Sequence, residues 1–143
     1  LRRSPPARVL WPPREAVPAD DNAAALVLEV GEGAGRVLLA ADMDSAAEER
    51  LRLAGGVGVL KVSHHGAASA TGARLLERAR PRVAVLSVGA RNRFGHPSPA
   101  VLARLAAAGA AVRSGAGLVS VLAGVRAGTK MLWKLYRARR ESS

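Results

Sequence analysis

A chain of 143 residues is long enough for one domain with a real core and too short for two ordinary ones. It has no cysteine, which excludes disulfides, thiolate nucleophiles and Cys-ligated zinc, so any metal must be held by His, carboxylate or water. The net charge of +11 divides into +2 over residues 1–20, +4 over 21–123 and +5 over 124–143, so the excess is concentrated in the tail, where a basic surface suits a polyanion or serves solubility alone.

The chain opens with a Pro-rich, irregular lead-in over residues 1–20, in which Val9-Leu10-Trp11 reads as a short edge strand before Pro12-Pro13. Ala24 to Val30 and Arg36 to Ala40 are apolar runs separated by the Gly-rich segment Gly31 to Gly35, the pattern of a hairpin, and Asp42 lies just past the second strand. Ser45 with Glu48 predicts a capping box and a helix to about Ala54, stopped by Gly55-Gly56. Leu60 to Val62 reads as a buried strand ending in Ser63-His64-His65-Gly66, followed by a helix over 72–79 and a strand over Val83 to Val88. After a polar loop from Gly89 to His96, Ser98-Pro99 starts a helix and Gly109 closes it. Ala111 to Arg113 and Leu118 to Leu122 read as short strands, and Thr129 to Arg140 as a basic amphipathic helix. No apolar run approaches the roughly 18 residues that a membrane span needs. The whole is an α/β pattern with hairpin and crossover connections: a lead-in over 1–20, a domain over 21–123 and a basic tail over 124–143.

Sheets of this kind gather chemistry beyond the carboxyl ends of their strands, where Asp42, His64, His65 and His96 all fall. A carboxylate can bridge two cations, and adjacent imidazoles can divide into one ligand and one proton donor. Because neighbours in a strand point to opposite faces, His64 and His65 are expected to have separate jobs. Taken singly, each residue also has an ordinary explanation. Asp42 suits the start of a helix, Asn92 and Gly95 suit a turn, Arg93 suits a solvated loop and His96 suits a surface. Only their joint occurrence in order points to a site.

Ala41-Asp42 after a hairpin strand, Leu60-Lys61-Val62-Ser63-His64-His65-Gly66, and Ser87-Val88-Gly89 with Asn92-Arg93-Phe94-Gly95-His96-Pro97 together resemble the carboxyl-terminal metallo-β-lactamase-fold domain of ComEC-type competence proteins. The resemblance covers roughly residues 8–122. It implies the carboxyl-terminal portion of an αββα sandwich, a mixed sheet with flanking helices. The parent would be a bacterial membrane protein that takes up DNA, with this soluble domain joined to its channel portion. On that resemblance Asp42, His65 and His64 are metal candidates, and His64, His96 and Arg93 are catalytic candidates. Asn92 and His96 are substrate-binding candidates, and the cofactor is a divalent metal, zinc or manganese, two ions in the intact parent. The implied reaction is hydrolysis of a DNA phosphodiester.

Three departures accompany the resemblance. Ala41 stands where the family has Gly, Ala67 where it has Ser, and the motif His-x-His-x-Asp-His is nowhere in these residues. A two-metal hydrolase needs about five to seven ligands, against three candidates here, so the fragment alone is expected to be inactive. The alternatives are a hydrolase of the same fold acting on another phosphoester or ester, and a metal-free module that binds DNA or braces the membrane portion.

Overall fold

The computed structural model describes residues 5–13, 24–89 and 92–114. Six strands form one mixed sheet in the order β1 (Ala7–Trp11), β2 (Val27–Val30), β3 (Val37–Leu39), β4 (Val59–Lys61), β5 (Val83–Leu86) and β6 (Ala111–Ser114). The first three strands are antiparallel neighbours, and β3 through β6 run parallel. Each parallel step is bridged by a helix: α1 (Ser45–Arg50), α2 (Ala73–Ala79) and α3 (Pro99–Ala107). A sheet that advances one way by right-handed crossovers keeps its helices on one face, and here α1 packs on α2 and α2 on α3.

The α/β expectation therefore holds, with short strands because the apolar runs are short. Register places Leu38, Leu60 and Ala84 side by side beneath the helices, where they pack with Leu51, Leu75, Leu76, Val101 and Leu105. On the other face the same alternation lines up Leu28, Leu39, Lys61 and Val85, with Val37, Val59 and Val83 beside them. Apolar residues on both faces are the pattern of a sheet with a layer on each side.

Three boundaries differ from the sequence expectation. Asp44, rather than Ser45, caps α1: its carboxylate accepts from Ala47 N at 2.8 Å, which leaves Glu48 free to turn inward. The helix stops at Arg50 instead of continuing to Ala54. Leu51 is drawn into the core in an extended conformation, and Arg78 donates to the carbonyls of Glu48 (2.6 Å) and Leu51 (2.7 Å) that a further turn would have used. Finally, β4 ends at Lys61, so the two histidines lie in a turn instead of a strand. The strand expected over Leu118 to Leu122, the helix over Thr129 to Arg140 and most of the Pro-rich lead-in lie outside the described residues. Among the described residues no helix is long and apolar enough to cross a membrane.

Arg78 thus substitutes for a C-terminal cap on a helix only six residues long. Replacing it by Ala should lower stability by about 2 kcal/mol in urea denaturation, the range for hydrogen bonds to a charged group. Arg78→Lys should recover only part of the loss, since an ammonium cannot span two carbonyls as the guanidinium fork does.

Candidate metal centre

Parallel pairing of β3, β4 and β5 brings their carboxyl ends together, and with them the three segments that carry Asp42, His64-His65 and His96. The first of these begins at Ala41, which sits in the left-handed region at φ 46. This conformation costs a residue with a Cβ about 1–2 kcal/mol, a reason for glycine to be preferred there. It turns the Ala41 carbonyl inward to accept from His64 N at 2.9 Å and Lys61 Nζ at 3.1 Å. Asp42 follows, half-exposed at the rim.

The second segment is the turn Ser63–Gly66, in which His64 (φ 45, ψ 46) and His65 (φ 53, ψ 16) are both left-handed. Two such residues in succession persist only where surrounding contacts over-determine them. Those contacts come from Glu48, a buried carboxylate 1% exposed. Its Oε1 accepts from Ser63 Oγ (2.6 Å) and Thr71 N (2.6 Å), and its Oε2 from Gly72 N (2.7 Å). Thr71 Oγ1 in turn accepts from Ser63 N at 3.1 Å. From α3, Arg104 donates to the carbonyls of Ala68, Ala70 and Thr71, holding the segment that follows the turn. A solvated carboxylate would gain nothing by this arrangement, but a buried one needs every acceptor filled.

The third segment is the loop that ends in His96. The Asn92 side chain accepts from His96 N (2.8 Å) and donates to His96 O (2.7 Å), closing the loop on itself. Pro97 then packs on Gly66, and Ser98 N donates to Gly66 O at 2.8 Å. A side chain at Gly66 would stand 2.8 Å from Pro97 Cβ, so glycine permits the two loops to touch.

These constraints separate the two histidines by turn geometry rather than by strand alternation. His65 Nδ1 lies 2.6 Å from the Ser87 carbonyl. A carbonyl only accepts, so Nδ1 donates there, and in the neutral imidazole Nε2 is the nitrogen left with a lone pair. That nitrogen faces Asp42 Oδ1 at 3.6 Å. In that neutral form the two atoms could serve one divalent ion, since two ligands with bonds of about 2.0–2.2 Å stand about 3.3–3.6 Å apart at tetrahedral angles. The pair fits one edge of a metal site, with the Ser87 contact fixing the imidazole as second-layer carbonyls do. His64 instead lies edge-on to His96, ring centres 6.3 Å apart. Among the described residues no group of three or more His, Asp or Glu is spaced to hold an ion, and the pair by itself could offer two ligands.

Lys61 was not singled out by the sequence, although a lone ammonium inside an apolar strand run was a visible signal. Its Nζ is 3.7 Å from Asp42 Oδ1, and its side chain is 16% exposed. Burial lowers its pKa below the ordinary lysine value, while the Asp42 carboxylate opposes that. Glu48 was read as a capping-box partner, and Ser63 and Thr71 were given no role, because nothing in local sequence tells a helix-surface glutamate from one that faces inward.

Over 94 residues the chain is 36% identical to Recombination protein 2 of Haemophilus influenzae, covering 65% of this chain and 12% of that protein. Over 93 residues it is 32% identical to ComE operon protein 3 of Bacillus subtilis, with 63% and 12% covered. Over 101 residues it is 35% identical to Competence protein ComA of Neisseria gonorrhoeae, with 68% and 15% covered. The chain is a homologue of competence proteins over part of its length. It spans 12–15% of the length of these curated relatives. No family model matches it.

Two predictions follow from the turn. In Glu48→Gln the amide must direct its NH2 at the N–H of either Thr71 or Gly72, which loses one bond and strands one donor. Stability should fall by about 1–3 kcal/mol, and amide hydrogen exchange at Thr71 and Gly72 should accelerate. Ala41→Gly should raise the unfolding free energy measured in urea by up to about 1 kcal/mol, because relief of the left-handed penalty outweighs the added flexibility of the unfolded chain.

Proposed function

We propose that this chain is the metal-binding carboxyl-terminal part of a phosphodiesterase domain of the metallo-β-lactamase fold, working on DNA in a bacterial uptake protein. The observation that carries the reading is the approach of His65 Nε2 to Asp42 Oδ1, 3.6 Å apart, with Nδ1 held by the Ser87 carbonyl. The similarity to competence proteins supports DNA as the substrate. The apolar second face of the sheet, Leu28, Leu39 and Val85 in register, suits the other half of an αββα sandwich. Further ligands and the channel portion would come from the remainder of a longer parent, of which relatives of this kind have about seven to eight times the matched length.

In this reading Asp42 and His65 hold a divalent ion, zinc or manganese. When bound, such an ion supplies Lewis acidity toward a phosphoryl oxygen and lowers the pKa of a water. Ser87 keeps His65 in the ligating tautomer. Lys61, held between the Ala41 carbonyl and Asp42, adds positive charge beside the place where the phosphodiester gains negative charge. His64 and His96, in a T-shaped pair at the rim, would hand a proton to a leaving oxygen, with Arg93 on the His96 loop to hold the phosphate. Asn92 gives that loop its shape.

Lys61 also favours a second reading, in which its ammonium alone neutralises Asp42 and the module binds DNA without metal. Metal content separates the two. The intact parent should retain zinc or manganese after dialysis and cleave a labelled oligodeoxynucleotide. Asp42→Asn and His65→Ala should each lower metal stoichiometry and reduce cleavage by at least about 100-fold while oligonucleotide binding persists. Unchanged stoichiometry in both variants would sink the metal reading in favour of the second.

A further inference from the structure

The rim loop carries a feature that hydrolysis does not require. Phe94 is the only phenylalanine of the chain, and it is 70% exposed, the most exposed large hydrophobic side chain among the described residues. Its ring lies nearly parallel to that of His96, 20° between planes and 5.9 Å between centres, and the Arg93 guanidinium lies 5.4 Å from its centroid. These are the distances of an aromatic pair and a cation–π contact, and the ring's exposure shows that much of it still meets solvent. The loop beneath is held at both ends. Asn92 bonds both backbone groups of His96, and the next two residues pack and bond onto Gly66 of the histidine turn.

An exposed apolar side chain held on a constrained loop, beside the Arg93 cation and the His96 ring, has the form of a stacking platform. A duplex keeps its bases stacked on each other and offers them to no such ring. A single strand exposes base faces, and proteins that hold it combine aromatic stacking with cationic contacts to the backbone. Resting on the reading of this chain as a DNA phosphodiesterase domain, we propose that Phe94 stacks a nucleobase of single-stranded DNA, with Arg93 on the adjoining phosphate. His96 continues the stack toward His64, so the base next to the reacting phosphate is the one held. Recognition of this kind is indifferent to sequence, because every base has a face to stack.

The test measures binding of a short single-stranded oligodeoxynucleotide to the protein by fluorescence anisotropy in chelator, so that cleavage does not intervene. Phe94→Ala should weaken binding by about 5- to 150-fold, the range for losing one stacked base. Phe94→Trp should retain it. On an abasic oligonucleotide of equal length, wild type and Phe94→Ala should bind alike. The salt slope should be unchanged in Phe94→Ala and shallower by about 0.7 in Arg93→Ala, since only the latter loses a phosphate contact. Equal binding of the normal oligonucleotide by wild type and Phe94→Ala, or an equal loss on the abasic one, overturns the proposal, as does failure of the wild type to bind single strands at all. Metal stoichiometry in the Asp42 and His65 variants judges the hydrolytic reading separately, so either idea can fail without the other.

Discussion

The carboxylate of Glu48 is the point on which the rest of this structure turns. It is buried, among the described residues no cation pairs with its oxygens, and it is satisfied by one hydroxyl and two backbone N–H groups. Each of those donors belongs to a different part of the segment after β4: Ser63 opens the histidine turn, Thr71 ends the loop that follows, and Gly72 caps α2. One side chain from α1 thereby determines the path of ten residues. Because a buried carboxylate with unfilled acceptors would be costly, the path is also specific: another route for the loop would strand the charge.

Two left-handed histidines are the visible consequence. Their backbone strain is sustained by bonds on both sides, from Glu48 and Thr71 behind and from Ala41 O and Ser98 N in front. Strain held in this way aims side chains that relaxed backbone would scatter. His65 is directed at Asp42 and His64 at His96, so adjacent residues in the chain serve different neighbours. The arginines play a related part at longer range. Arg78 ends α1 close after Glu48, and Arg104 ties α3 to the loop below the turn, so that all three helices bear on the same few residues.

Much of this was legible before any coordinates. The alternation of apolar runs and capped helices predicted the mixed sheet, since short Val and Leu runs flanked by Gly and Pro leave few other arrangements. Asp42, the histidine pair and His96 were found because each follows a strand, and parallel strands deliver their ends to one edge. The assignment of the histidines to β4 itself was wrong for a physical reason. Strand propensity could be read in Leu60 to Val62, but the chain leaves the ladder where Ser63 finds better partners in Glu48 and Thr71, and these are distant in sequence. The capping box failed likewise, because Asp44 capped the helix and tertiary burial claimed Glu48.

Residue types and their order by themselves determined the α/β class, the absence of thiol chemistry, and which segments carry groups able to bind metal or phosphate. These properties depend on local composition and on periodicity, which the chain carries with it. Only tertiary structure decided that His65 rather than His64 faces Asp42, that Lys61 stands beside them, and that Phe94 projects from the rim. Those outcomes depend on φ angles and on contacts between residues 15 to 40 positions apart, and no local pattern encodes them.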